Sequence, residues 1–261
     1  EIWTGNVTTA WSVTFGLLGG LFIIFSIYHH WMLPLPKSDQ PHPNPSLSET
    51  VRNFINVFIS FFKKPKMGIV IVFILLYRFG EAQLVKIAPL FMLDSIEAGG
   101  LGLTTIELGF TSGTIGTIML TIGGIMGGFF AAKHGLKVTS SWMALAMKLP
   151  DIVYVFMAGT QPESYLLINI FIAIEQFGYG FGFTAYLLFM MMVSDGENKT
   201  AHYAICTGFM ALGMMIPGMF SGALQESIGY YHFFIWVMVA TIPGLILIKF
   251  LPIDSNFGKK E

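Results

Sequence analysis

The 261-residue sequence predicts an all-α, polytopic membrane protein with seven transmembrane helices. Three observations carry that expectation. Charged residues make up only 11% of the chain, less than half of the roughly 25% that coats an ordinary soluble domain. Hydrophobic residues make up 54%, giving a mean hydropathy of +0.69. The apolar residues also gather into stretches of about 20 or more, the length that crosses a bilayer as a helix, and the 29 glycines suit helices that approach one another closely.

The first stretch, Thr8–Trp31, ends on His29 and His30, which mark an interface rather than a metal site. The second, Met67–Leu93, follows Lys63, Lys64 and Lys66 and stops at Asp94. Glu107–Ala132 closes on Lys133, and Val138–Thr160 opens after Lys137. Tyr165–Ser194 lies between the polar segments Gln161–Ser164 and Asp195–Thr200. Ala201–Gln225 and Tyr231–Leu251 are parted by Glu226–Tyr230. One helix, a linker of some 35 residues and six closely joined helices divide the chain into residues 1–32, 33–66, 67–252 and a tail at 253–261.

The linker changes character within itself. Pro34, Pro36, Pro41, Pro43 and Pro45 predict an extended run, because proline fixes its own φ and pushes its predecessor out of the helical region. A helix follows, opened by a Ser46/Glu49 capping box, with Leu47, Val51, Phe54, Ile55, Phe58, Phe61 and Phe62 on one face and Glu49, Arg52, Asn53, Asn56 and Ser60 on the other. It reads either as an interfacial helix lying on lipid or as a linker helix packed on neighbouring loops.

Basic residues favour the cytoplasmic ends of spans, and here they sort cleanly. Lys37, Arg52, Lys63, Lys64, Lys66, Lys133, Lys137, Lys199, Lys249, Lys259 and Lys260 all fall in the linker, the alternate connections on its side, or the tail region. The opposite connections hold none. The expectation is a cytoplasmic linker and C-terminus, with the first residues outside.

Six ionisable residues sit well within spans: Arg78, Glu81, Lys86, Lys148, Asp151 and Glu175. Each isolated charge at mid-membrane costs roughly 2.5–3.5 kcal/mol on insertion scales, so these groups must face protein or water. Arg78 and Glu81 stand three apart, as do Lys148 and Asp151, so each pair shares a helical face and can neutralise itself, as a structural ion pair or as the lining of a pathway. Lys86, five residues past Glu81, stands about 140° round the helix and needs another partner or snorkels outward. Glu175 has no basic neighbour at helical spacing and opens a face that continues through Tyr179 and Tyr186. A carboxyl group facing a partly dry cavity takes up a proton more readily than one in water, which is what proton coupling needs; the alternative is an acid that merely hydrogen-bonds a neighbouring helix.

Gly178, Gly180 and Gly182 thin the Glu175 helix and allow close approach or bending. Pro89, Pro150, Pro217 and Pro243 predict kinks. Gln176, Tyr179 and Tyr186 are candidate sugar contacts, with aromatic packing as the alternative. Met190, Met191, Met192, Met210, Met214, Met215 and Met219 read as lipid-facing or core filling.

Many secondary transporters join two six-helix halves through a long cytoplasmic linker, with the solute site between them. The order here fits the sixth helix, the linker and the second half of such a protein, with its beginning missing. The residues carry a resemblance as well. Tyr77-Arg78-Phe79-Gly80-Glu81, the run from Glu175-Gln176-Phe177 to Thr184-Ala185-Tyr186, and Thr200-Ala201-His202-Tyr203-Ala204 resemble the C-terminal half of AmpG-type permeases, members of the major facilitator superfamily. The resemblance covers roughly residues 67–252 and implies the last seven helices of a twelve-helix fold. It also implies proton-driven import of muropeptide-type sugar–peptides across a bacterial inner membrane, and it places an acid and a base at Glu81 and Arg78. Gly128 to Lys137 resembles the superfamily's tight helix–helix loop, with Ala132 where the family often has an acid.

Other solutes such as a sugar or acetyl-CoA, or a sensor that binds without transport, remain alternatives. The expected partners are the lipid bilayer, the missing N-terminal half, a small solute and protons. No metal-ligand or nucleophile motif appears, so neither an enzyme nor a cofactor is expected. The single Cys206 cannot form an intrachain disulfide. With a net charge of −1 and no basic run of five, nucleic acid is not an expected partner. The glycosylation patterns at Asn6 and Asn198 are expected to be unused.

Overall fold

A computed structural model describes residues 6–34, 46–255 and 257–259. Pro36, Pro41, Pro43 and Pro45, and with them most of the expected extended run, lie outside the described residues, as do Lys37 and Lys260. The described chain is helical and contains no strand among those residues. Its contacts divide it into two units, residues 1–51 and 52–261.

In the first unit, α1 (Val7–Met32) opens where Asn6 accepts a hydrogen bond from the Thr8 N–H at 2.9 Å, satisfying one of the orphan donors at the helix start. None of its residues is buried. An apolar helix of 26 residues with every side exposed is at home only where lipid replaces water. α2 (Leu47–Phe62) begins in this unit with the expected capping box: the Glu49 N–H donates to Ser46 Oγ, while the Ser46 N–H donates to Glu49 Oε2 at 2.9 Å.

The second unit is the bundle. Its helices are α3 (Met67–Tyr77), α4 (Phe79–Leu93), α5 (Thr105–Leu108), α6 (Thr117–His134), α7 (Leu136–Lys148), α8 (Ile152–Thr160), α9 (Tyr165–Ser194) and α10 (Lys199–Leu247). Together α3 and α4 make one apolar span, and so do α5 and α6, which a π-helical stretch at Gly109–Gly116 joins, and α7 and α8. The last helical run, Lys199–Phe250, has 52 residues. At 1.5 Å per residue it would be about 78 Å long, more than twice the hydrocarbon thickness. Gly229 resolves this. Its φ of 74° and ψ of 165° turn the chain back on itself, so α10 is two spans, 199–228 and 230–247. A side chain there would be forced into the left-handed region that glycine tolerates. The membrane spans expected from the sequence are all present, with ends shifted by a few residues.

α9 is the axis of the bundle, packing on α6 along one side and α7 along the other. The glycines expected to thin it do so: a methyl group at Gly180 would collide with the Leu120 carbonyl of α6, and methyls at Gly178 and Gly182 with the Ala146 and Met143 carbonyls of α7. Close backbone approach is how helices gain packing energy in lipid, where hydrophobic burial between them is worth little. Outward from this axis, Ile118, Ile122, Ile125 and Phe129 form an exposed apolar stripe on α6, as Leu166, Ile170 and Ile174 do on α9. In water such patches would drive aggregation; in a bilayer they are the solvated surface. The molecule is thus an all-α, polytopic membrane protein.

The buried core comes in two clusters. One gathers Phe73, Ile74, Tyr77, Met143, Met147, Tyr186 and Phe189, and the other Leu84, Phe91, Tyr154, Ile172, Phe233 and Phe234. In sequence the gap between them falls at 78–83, 148–152 and 173–184, where five of the six intramembrane ionisable residues lie, all but Lys86.

The candidate solute and proton site

Two spans are interrupted where they carry charge. Between α3 and α4, Arg78 leaves the helix with φ −102° and ψ 11°. Between α7 and α8, Pro150 imposes a turn of 3₁₀ helix at Leu149–Asp151. The second interruption is the kink expected from Pro150, whereas the first has no proline and was not legible. At the Arg78 break the Ile74 carbonyl no longer receives its helical partner, and the Tyr186 hydroxyl donates to it at 3.0 Å. Tyr186 is buried, and its ring stacks on Tyr77 with centroids 4.9 Å apart. Of the three expected sugar contacts it is therefore engaged in holding the break, while Gln176 and Tyr179 remain partly accessible on α9.

The charges lie near mid-depth. Arg78 and Glu81 flank the centre of the 27-residue span Met67–Leu93, and Lys148 is the middle residue of the 25-residue span Leu136–Thr160. Arg78, Glu81, Lys148, Asp151 and Glu175 are each at most 5% exposed. Arg78 Nη2 donates to Glu81 Oε1 at 2.8 Å, the ion pair expected from their spacing. The other expected pairing does not form. Lys148 Nζ donates to Glu81 Oε2 at 2.8 Å rather than to Asp151, because the 3₁₀ turn carries Asp151 away from the α7 register while α4 brings a carboxylate within reach. Glu81 thus receives two cations from two spans, and Asp151 Oδ2 is buried without a hydrogen-bond partner.

Aromatic rings enclose the cations. The Arg78 guanidinium carbon lies 4.8 Å from the Phe183 centroid, and the group also donates to the Tyr179 hydroxyl. Lys148 Nζ lies 5.1 Å from the Tyr77 centroid. Such contacts hold a desolvated cation at a cost lower than hydrocarbon would impose. Glu175 has no cation within ion-pair distance among the described residues. Its Oε2 accepts from Gln176 Nε2 at 2.9 Å and, at 3.5 Å, from the Tyr154 hydroxyl. Lys86 lies exposed with its stem against Gly218, in keeping with snorkelling.

Tyr154, Phe183 and Tyr77 were missed because an aromatic in an apolar helix looks like core. Tyr165, Asn169 and Phe183 were legible but unread: with the expected Gln176 and Tyr179 they recur along one face of α9 at three-, four- and seven-residue intervals. There Thr111, from the π-helical stretch, donates to Asn169 Oδ1 at 2.7 Å. Polar groups at helical spacing through an apolar span are a stripe, and this stripe passes Arg78. Among the described residues no cluster of three metal-ligating side chains occurs.

Interrupted spans beside paired and unpaired charges lie at mid-depth between two apolar cores, an arrangement that known secondary transporters share. The chain is 25% identical over 205 residues to transporter AmpG 2 of Rickettsia prowazekii, which covers 78% of this chain and 48% of that protein. It is 22% identical to transporter AmpG 4 of Rickettsia conorii, over 97% of this chain and 59% of that protein. To the anhydromuropeptide permease of Escherichia coli it is 21% identical, over 98% of this chain and 51% of that protein. No family model matches the sequence. In these similarities the chain is AmpG-like. It spans about half the length of the curated relatives it matches.

Proposed function

We propose that the chain forms the second half of a proton-coupled secondary transporter of the major facilitator type, which imports anhydromuropeptide-type sugar–peptides across the bacterial inner membrane and so serves peptidoglycan recycling. The observation that carries this reading is the mid-depth charge cluster at two interrupted spans, in a chain whose relatives include a protein named as an anhydromuropeptide permease. Residues 1–32 would be the sixth helix, residues 33–66 the cytoplasmic linker, residues 67–252 the six-helix half and residues 253–261 a cytoplasmic tail; an N-terminal half would complete the cavity.

Roles divide by partnership. Arg78, Glu81 and Lys148 are ion-paired and hold the two interrupted spans in one arrangement. Glu175 and Asp151 have no such pair, and Glu175, facing Gln176 and Tyr154, is the proton carrier of this reading. Gln176 and Tyr179 contact the sugar through amide and ring. A bound proton removes the cost of a bare carboxylate while the site is cut off from water, so loaded and empty carriers cross between states at different rates.

The test is uptake of labelled anhydromuropeptide by proteoliposomes of the full-length protein, with and without an inward proton gradient. Gradient-driven accumulation is expected. Glu175→Gln is expected to lose accumulation while retaining exchange of labelled for unlabelled solute, since the neutral amide mimics the protonated acid permanently. Absence of uptake, or accumulation indifferent to the gradient, would overturn the proposal.

A further inference from the structure

We infer that Arg78 and Lys148 are the seat for a carboxylate group of the solute, and that Glu81 occupies that seat when no solute is bound. The inference rests on the transport reading above and adds the chemical class of the group recognised.

A seat for a carboxylate needs a cation fork, a second cation and a way in. Arg78 supplies the fork. Among the described residues only Nη2 is engaged in hydrogen bonds, to Glu81 and Tyr179, and Nε is buried with no partner, so the guanidinium holds its carboxylate through one nitrogen and has donors left. A buried guanidinium N–H without an acceptor is costly, and a two-oxygen ligand held in bidentate fashion removes that cost. Lys148 supplies the second cation from a different span, 2.8 Å from the other oxygen of Glu81. The way in runs along α9, where Gln176, Tyr179 and Phe183 stand partly accessible on one face and the last two lie directly against the guanidinium.

Glu81 marks where the ligand's charge would sit, a carboxylate between the two cations, but it holds Arg78 through one nitrogen only. Exchange conserves charge. Before it, two cations face one carboxylate. A solute carboxylate then arrives with one proton, which Glu175 takes up and hands on to the Glu81 carboxylate, and the two cations face the solute carboxylate instead. No bond in the solute is made or broken. One proton enters for each carboxylate seated. The two remaining acids, Asp151 in the 3₁₀ turn and Glu175 on α9, keep their places, so the carboxylate displaced is that of Glu81 alone. A neutral sugar could not displace Glu81, because it would leave two buried cations facing a neutral acid, and the cost of unpaired charge would oppose it.

The test compares an anhydromuramyl peptide as the free acid and as its carboxamide, taken up by proteoliposomes of the full-length wild-type protein. The acid is expected to enter at least about tenfold faster, which corresponds to about 1.4 kcal/mol. A second readout needs no transport. In Glu81→Gln protein, verified as folded by gel filtration, the acid is expected to raise the melting temperature by more than it does in wild type, because it restores the missing carboxylate, and the amide is expected to have no effect. Equal uptake of acid and amide would overturn the seat and leave the transport reading standing. Uptake of neither would overturn both. A melting temperature of Glu81→Gln protein that responds equally to acid and amide would also exclude it.

Discussion

Lys148 reaches across 2.8 Å to Glu81 and so ties the interruption in one span to the interruption in another. Neither break would be stable alone in hydrocarbon, where a freed carbonyl or an unpaired charge has no water to turn to. The sequence order places these groups 67 residues apart, and only the tertiary fold makes them neighbours.

Because Glu81 holds both cations and Lys148 only one anion, the two substitutions rank differently. Glu81→Gln strands Arg78 and Lys148 together and is expected to cost about 3–5 kcal/mol, the range for breaking a buried ion pair. Lys148→Met leaves Arg78 and Glu81 paired and is expected to cost less. Asp151→Asn breaks no ion pair and is expected to cost least. Thermal unfolding of the full-length protein in detergent measures all three, and any other order would contradict the shared-carboxylate geometry.

The glycine ladder on α9 makes a sharper prediction. Gly178→Leu and Gly182→Leu drive a side chain into the Ala146 and Met143 carbonyls, backbone atoms that cannot move aside without shifting α7. Loss of folded protein is expected, seen as loss of the monodisperse gel-filtration peak. Gly128→Ala, where a methyl group meets open space, is expected to stay within about 0.5 kcal/mol of wild type.

How far the fold and site could be read in advance depends on the range of the forces concerned. Spans are set by local apolar length, so Tyr165–Ser194 was legible to the residue. The Pro150 kink was legible because proline carries its own constraint. The pairing of Arg78 with Glu81 was also legible, since both lie on one helix. Lys148 with Glu81 was not, because nothing in either segment says which span it will meet, and the 3₁₀ turn that separates Lys148 from Asp151 removed the local partner that spacing had offered. The break at Arg78 was hidden for the same reason: it is held by Tyr186, 108 residues on, through a hydroxyl that sequence alone would assign to solute or to core.

Glu49 gives a pH dependence whose sign is fixed by geometry. Hydrogen bonds from the Ser46 N–H and hydroxyl favour the charged carboxylate and hold its pKa below the usual 4.5. The capping box therefore contributes at every pH above that value and is lost as pH falls through the lowered one. A peptide of residues 46–66 on phospholipid micelles is expected to lose helicity by circular dichroism only below about pH 4.5, the unperturbed value of the acid. With Glu49→Gln the helicity is expected to be flat with pH; an unaltered profile in that variant would remove Glu49 from the cap.

Lys64 marks the other end of the same helix. Its Nζ donates to the Val193 carbonyl at 2.7 Å and the Asp195 carbonyl at 2.8 Å, two of the acceptors left over where α9 ends. Nearby, Ser60 Oγ lies 3.0 Å from His202 Nε2, and Phe61 is fully buried against His202 and Phe209. Apolar burial and two polar clasps thus hold the C-terminal part of α2, residues 52–62, to the helices around it. A cation at a helix C-terminus is worth about 0.3–1 kcal/mol, so Lys64→Met is expected to speed hydrogen exchange of the α2 amides after Val57 by about two- to fivefold. Phe61→Ala leaves both clasps but removes a buried ring, a change of about 3–5 kcal/mol, and is expected to raise exchange through the same segment by at least a hundredfold. Equal rates in the two variants would mean that the clasps and the ring do not act on one docking equilibrium.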